Sequence, residues 1–224
     1  MGIVIAIDGP AGSGKSTVSK EVARKLGFGY LDTGAMYRAG AWWCQHINVD
    51  LDDHDGVAQA VRDMPLEMPL DPDNQQIQCD GVDITRAIRD SELSRVVSKV
   101  AVNLDVRAEL VRRQQEIIAK AAQAGGVVAE GRDITTVVAP DAPVRVLLTA
   151  SEEARLARRA LEQRGSANAE ALAATRDEVL RRDRDDSTVS EFLTASEGVY
   201  TVDSSNLTIA QVVDVIIGLA DDAK

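Results

Sequence analysis

Residues Gly9-Pro10-Ala11-Gly12-Ser13-Gly14-Lys15-Ser16 constrain this chain more than any other stretch, because they fit the pattern G-x-x-x-x-G-K-[ST]. The apolar run at residues 3–7 has strand length and stands directly before them. Behind them Val18, Val22, Ala23 and Leu26 keep a helical period that Gly27 ends. A strand that feeds a glycine-rich turn opening a helix forms an anion cradle. The glycines let the backbone wrap so that several N–H groups point at phosphate oxygens, and the helix N-terminus adds partial positive charge. Lys15 is expected to reach the β- and γ-phosphates of a nucleotide and the Ser16 hydroxyl to sit on Mg²⁺. Gly9 through Ser16, with Thr17, are expected to line the donor site.

The rest of the chain alternates apolar runs with helical periods, which predicts an α/β fold with a P-loop-type parallel sheet flanked by helices. Further strands are expected near 28–31, 127–129, 144–148 and 199–202. Helices are expected near 35–45, 91–100, 104–124, from 154 onward, 170–184 and from Thr208 to about 219. Residues 63–90 break this rhythm. Pro65, Pro69 and Pro72 exclude a helix, Leu66-Glu67-Met68 and Ile77-Gln78-Cys79 alternate, and Asp80-Gly81 signals a hairpin, so the segment reads as a small β-rich insertion. Gly165-Ser166 divides two helical stretches within 151–186, which reads as a helical lid. Both are expected within one domain spanning 1–224, since 45% hydrophobic residues allow a single core without disulfides.

The 25 basic and 36 acidic residues leave a net charge of −11, a surface that repels nucleic acid and anionic lipid at long range. Aromatic residues, at 3%, are too few for a base-stacking platform. No apolar run has the length of a membrane span, and the start carries no charged leader. Two cysteines, Cys44 and Cys79, fit a reducing compartment. A cytoplasmic monomer that binds neither nucleic acid nor membrane is expected.

A phosphate loop alone leaves open a small-molecule kinase, a GTPase-type switch and a motor or transport ATPase. No N-K-x-D guanine motif is present. The D-x-x-G spacing of Asp53-His54-Asp55-Gly56 falls in an acidic segment and reads as a solvated loop. The length suits a small kinase. The basic residues comprise 19 arginines and six lysines, and the planar guanidinium binds phosphate in a bidentate fork. Arg155, Arg158, Arg159, Arg164, Arg176, Arg181, Arg182 and Arg184 crowd the region around Gly165; any single one reads as part of a salt-bridged surface face, and the cluster as a whole as a lid that closes on phosphates. Arg132 and Asp133 follow a core strand and so belong at the carboxyl edge of the sheet, where ligands bind. Glu130 reads either as orienting Lys15 or a Mg²⁺-bound water, or as a helix-start charge. His46 and His54 read as surface residues, and Trp42-Trp43 as partial core.

Several motifs in fixed order carry a resemblance. They are Ile7-Asp8-Gly9-Pro10 with the phosphate loop, Leu31-Asp32-Thr33-Gly34-Ala35-Met36-Tyr37-Arg38, Glu130-Gly131-Arg132-Asp133-Ile134, Thr136-Val137-Val138-Ala139-Pro140-Asp141-Ala142, and Arg182-Asp183 with Asp186-Ser187. Over essentially its whole length the chain resembles the bacterial cytidylate kinase family, the CMP/dCMP kinases of the nucleoside monophosphate kinase superfamily. The resemblance implies transfer of the γ-phosphoryl group of ATP, with Mg²⁺, to CMP or dCMP. It implies that Thr33, Arg107 and Asp133 read the cytosine ring, that Ser98, Arg182 and Asp186 contact the pentose, and that Arg38 and Arg132 hold the acceptor phosphate. Lys15 and the lid arginines Arg155, Arg158 and Arg159, with Arg132 and Arg182, would meet the transferring group. The insertion at 63–90 would be the monophosphate-binding domain. A carboxylate such as Asp133 accepts from the N4 amino group of cytosine and repels the O4 oxygen of uracil. Two positions depart from the family: Val189 stands where an Arg is usual, and Phe192-Leu193 where Pro-Leu is usual. The competing readings are a UMP-, AMP- or shikimate-type kinase, and a regulatory nucleotide-binding module with slow hydrolysis.

Overall fold

A computed structural model describes residues 2–166 and 168–223, with the side chains of Ser91, Ser94, Arg95, Glu162, Gln163, Arg164, Ala169, Glu178 and Arg182 outside that description. In chain order the first elements are β1 (Ile3–Asp8), α1 (Lys15–Leu26), β2 (Gly29–Asp32), α2 (Thr33–His46) and α3 (His54–Asp63). Then come β3 (Leu66–Glu67), β4 (Gln78–Cys79), β5 (Val82–Asp83), α4 (Ser91–Ala101), α5 (Leu104–Ala124) and β6 (Gly126–Gly131). The last are β7 (Val144–Thr149), α6 (Glu152–Arg164), α7 (Ala169–Ser187), β8 (Tyr200–Asp203) and α8 (Ile209–Asp222).

Five strands form one parallel sheet in the order β2-β6-β1-β7-β8. Its register decides what the carboxyl edge presents. Asp8 lies beside Gly131 and Asp32 beside Glu130, so the phosphate loop, the start of α2 and the Arg132-Asp133 step leave the sheet side by side. Side chains alternate along β1. Ile5 and Ile7 pack with Val18, Val22, Val212, Val213 and Ile216 of α1 and α8. Ala6 faces the opposite layer, with Leu31, Met36 and Leu110.

The segment after α3 forms a separate antiparallel sheet, β3-β4-β5. Its hairpin turns on Asp80 and Gly81, with φ of 51° and 72°, the two consecutive left-handed residues that a tight two-residue turn needs. Buried Ile77, Cys79, Ile84 and Ile88 join the core that α2 and α3 also use.

The solvated loop expected at Asp53–Gly56 is instead the start of α3. Asp53 caps it by accepting from the Gly56 amide at 3.1 Å, and the helix buries Val57, Ala58, Ala60 and Val61. The acidic start hid an amphipathic stripe behind it, and acid is favourable where helix N–H groups lack partners. A π-helical turn at Ile134–Val138 also lay beyond the sequence reading. Among the described residues no helix is long and apolar enough to cross a membrane.

Candidate active site

A cleft of about 1210 Å³ runs along the carboxyl edge of the sheet. The phosphate loop crosses its middle. Gly14 caps α1 without a side-chain acceptor, and the first turn of α1 carries no acidic residue, so the helix's opening N–H groups face the cleft. By contrast, α6 begins with Glu152 and Glu153. Lys15 folds over its own loop, donating from Nζ to the carbonyls of Gly9 at 2.7 Å and Pro10 at 3.0 Å. Ser16 and Thr17 are exposed at the helix start.

One end of the cleft is built from buried charge. Asp32 ends β2, caps α2 by accepting from the Ala35 amide at 2.8 Å, and pairs with Arg38 at 2.8 Å. Burial works against its charge, but Arg38 and the Ala35 amide outweigh that and hold the carboxyl below its usual range. Glu130, at the end of β6, accepts from the Tyr30 hydroxyl at 2.7 Å. Burial and then the Asp32 charge push its carboxyl up, against Lys15 and the hydroxyls of Ser16 and Tyr30. Glu130 is thus a strand-end residue beside Lys15, not a helix-start charge. Thr33 is buried and donates to the Glu130 carbonyl at 2.8 Å.

Arg107 of α5 crosses to Asp133, forming a short ion pair, and donates to the Ser190 hydroxyl at 3.1 Å. Burial raises the Asp133 carboxyl above its ordinary range, with Arg107 opposing. Arg132 donates from Nε to Asp186 at 2.8 Å, bonds the Gly9 carbonyl, and lies 4.7 Å over the Phe192 ring. Asp8 organises this platform from below. Only 1% exposed, it accepts from the amides of Ile134 at 2.9 Å and Thr135 at 2.7 Å and from the Thr135 hydroxyl at 2.7 Å.

The other end is apolar and open, lined by Leu161, Leu207, Ile209 and Val212 with Thr208. Helices α6 and α7 rest on the loop. Arg158 donates to the carbonyls of Ser13 at 3.2 Å and Ser204 at 2.6 Å, and Arg159 lines the cleft.

The structure therefore brings together Thr33, Arg38, Arg107, Arg132, Asp133, Arg158, Arg159 and Asp186 around the phosphate loop. Ser98 is half-buried on α4 and is not among the described lining residues. Arg155 also stays out of the lining, being only 9% exposed and paired with Asp183. The Arg182 side chain lies outside the described residues. Val189, at the family's arginine position, lines the cleft. Residues 63–90 reach it through Arg89. Lys20, Arg89, Tyr30 and Ser204 line it too and escaped the sequence reading. Ser204 follows the last strand directly, so the carboxyl-edge rule was signal enough for it. Lys20 sits 5.3 Å from the Tyr30 ring, a contact with no local signature. His46 stacks on Trp42 at 4.6 Å on the outer end of α2, away from the cleft lining.

The fit to Mg²⁺ rests on oxygen donors. The Ser16 hydroxyl stands at the loop–helix junction beside Glu130, and no group of three or more acidic, His or Cys side chains among the described residues forms an all-protein cage. A hydroxyl and a carboxylate are oxygen donors of the kind Mg²⁺ takes.

The sequence profile of the family described as cytidylate kinase matches residues 5–222. The chain is 46% identical to the cytidylate kinase of Cutibacterium acnes over 97% of its own length and 95% of that protein. It is 42% identical to the cytidylate kinase of Desulfitobacterium hafniense, covering 97% and 92%. Among solved structures, an uncharacterized protein from Eubacterium ventriosum shares the fold with a TM-score of 0.54 at 13% identity, over 98% of both chains. With its phosphate loop and acidic-arginine platform on one sheet edge, the chain belongs to the cytidylate kinase family.

Proposed function

We propose that the protein transfers the γ-phosphoryl group of ATP to CMP or dCMP, giving ADP and CDP or dCDP, and does so as a monomer. The observation that carries this reading is the Arg107–Asp133 pair at the buried end of the cleft, with Arg38 and Arg132 lining the same cleft and Arg132 bonded to the phosphate loop.

In this reading the ATP phosphates lie in the loop from Gly9 to Thr17 under Lys15, with the adenine toward Leu161, Leu207 and Ile209. Ser16 would hold Mg²⁺, which supplies charge neutralisation to the donor phosphates. Arg38 and Arg132 hold the acceptor phosphate. That phosphate is already anionic, so no general base is required and catalysis is positioning plus charge stabilisation. An acceptor oxygen attacks the γ-phosphorus, the bond to the β,γ-bridging oxygen breaks, and ADP leaves. Of the lid arginines, Arg158 and Arg159 are assigned to the transferring group, since both line the cleft and Arg155 does not. Thr33 and Arg107 flank the base, and Asp133 accepts from N4 of cytosine, whereas O4 of uracil meets a carboxylate and is repelled. Asp186 and Arg182 are assigned to the pentose, and Ser98, which like Arg155 stays out of the lining, is not. The 63–90 segment and the 151–186 lid would close over acceptor and donor and exclude water.

ADP release from ATP–Mg²⁺ with CMP, dCMP, UMP, AMP, GMP, shikimate or no acceptor tests the reading. Fast release with CMP and dCMP is expected. Release at one rate whatever the acceptor would overturn it in favour of a hydrolase or switch.

A further inference from the structure

The motif residue Asp183 has no assignment in the reaction above, yet its carboxylate is heavily engaged. It is 7% exposed. Its Oδ1 accepts from the Ala11 amide of the phosphate loop at 3.0 Å and faces Arg132 Nη2 at 3.5 Å, while Oδ2 accepts from Arg155. Arg155 in turn donates to the Ala11 carbonyl at 3.0 Å. Ala11 is thus gripped on both its polar groups by the lid, its N–H by α7 and its C=O by α6. The backbones meet as closely as the chemistry allows: a Cβ on Gly12, where φ is +76°, would stand 2.6 Å from the Arg155 carbonyl oxygen.

We infer that Asp183 is a positioning residue that locks the lid onto the phosphate loop and ties that docking to the acceptor-side arginine Arg132. The inference rests on the kinase reading above. The Ala11 N–H belongs to the phosphate-binding turn but bonds a carboxylate of the lid, so that contact serves docking. The same carboxylate faces Arg132, which also bonds the Gly9 carbonyl. Donor loop, lid and acceptor arginine therefore meet at one side chain. With the lid held down, water is kept from the γ-phosphorus until an acceptor oxygen occupies the line of attack.

Two variants test this. Asp183→Asn keeps an oxygen for the Ala11 amide but turns an NH₂ toward a cation, and Arg155→Met removes the charge while keeping an apolar stem. Two rates are measured for each: CMP-dependent ADP release, and acceptor-free hydrolysis, in which water attacks the γ-phosphorus and phosphate leaves with ADP. Asp183→Asn is expected to lower kcat for transfer about 10- to 100-fold, the scale of a misplaced reactive geometry. Acceptor-free hydrolysis should fall far less, so that its share of total ADP release rises about tenfold. The double variant should be no worse than the poorer single one, as for residues acting as a unit. Transfer and hydrolysis falling in parallel would mean a merely structural role and would overturn the inference, as would an unchanged hydrolysis share or strict additivity. If Asp183→Asn does not fold by far-ultraviolet circular dichroism, Arg155→Met carries the same two readouts. A wild-type protein without CMP-dependent turnover would instead refute the kinase reading.

Discussion

The two ends of the cleft are built from opposite materials. Around Asp133 the walls are buried charge: Asp32, Glu130 and Asp133 are 9%, 4% and 4% exposed, and their hydrogen-bonding partners are held by α2, β2 and α5 in turn. Around Ile209 the walls are apolar and half open, with Leu161 59% and Ile209 52% exposed. Buried, directional groups punish a ligand that lacks the matching donor or acceptor, whereas an apolar shelf discriminates by contact area alone. In the proposed reaction the closed end would therefore choose a base and the open end would accept one.

Breaking what the two ends share gives the largest effect. Lys15→Ala is expected to cut CMP-dependent turnover by about 10³-fold or more while far-ultraviolet circular dichroism is unchanged. Normal turnover in that variant would remove Lys15 from the mechanism. At the closed end, Asp133→Asn keeps the volume but swaps an acceptor for a donor. The ratio of kcat/KM for CMP over UMP should fall about 10- to 100-fold. An unaltered ratio would mean that Asp133 does not read the base.

At the open end, Ile209→Ala is expected to raise KM for ATP about three- to tenfold with kcat and the CMP/UMP ratio unmoved. A shift in acceptor choice would erase the distinction between the ends. The smallest effect belongs to neither end. Glu109 on α5 accepts from Arg112 at 2.8 Å and Arg113 at 2.6 Å, and these partners hold its carboxyl down at about 2. The stabilisation is complete above the ordinary carboxylate value of 4.5 and is lost as pH falls toward about 2. Glu109→Gln should lower Tm at neutral pH by about 2–4 °C or less, and acidification should close the gap with wild type. A gap that widens in acid would contradict the pairing.

Local patterns in the sequence carried most of the framework. The strand–loop–helix of the phosphate site and the limits of α5 at Leu104 and Ala124 follow from period and punctuation, and the structure has both where expected. The start of α3 was misread because acidic residues look alike in a solvated loop and in a capped first turn, and only the packing of Val57 and Val61 separates them. The π-helical turn after Asp133 has no periodic signature, since it is held by Asp8, more than 120 residues away. The lid illustrates the same limit. Its arginines were visible as a cluster, but Arg155 turns inward to Asp183 while Arg159 turns to the cleft, although both stand on one helix. Contacts such as that of Ala11 with Asp183, 172 residues apart, arise only once the sheet is assembled.

Asp8 has a mechanical consequence. Its carboxylate stitches the end of the central strand to the turn carrying Arg132 and Asp133, and the adjacent Gly9 carbonyl receives both Lys15 and Arg132. Interior hydrogen bonds of this kind open only with much of the surrounding structure. The loop floor and the Arg132–Asp133 platform consequently form a single anvil, and in the proposed reaction that anvil would not bend to bring two substrates together. On the same reading, whatever travel the reaction cycle requires would fall to the lid that rests on that anvil, and the distance between the two phosphate seats would be set by the central sheet.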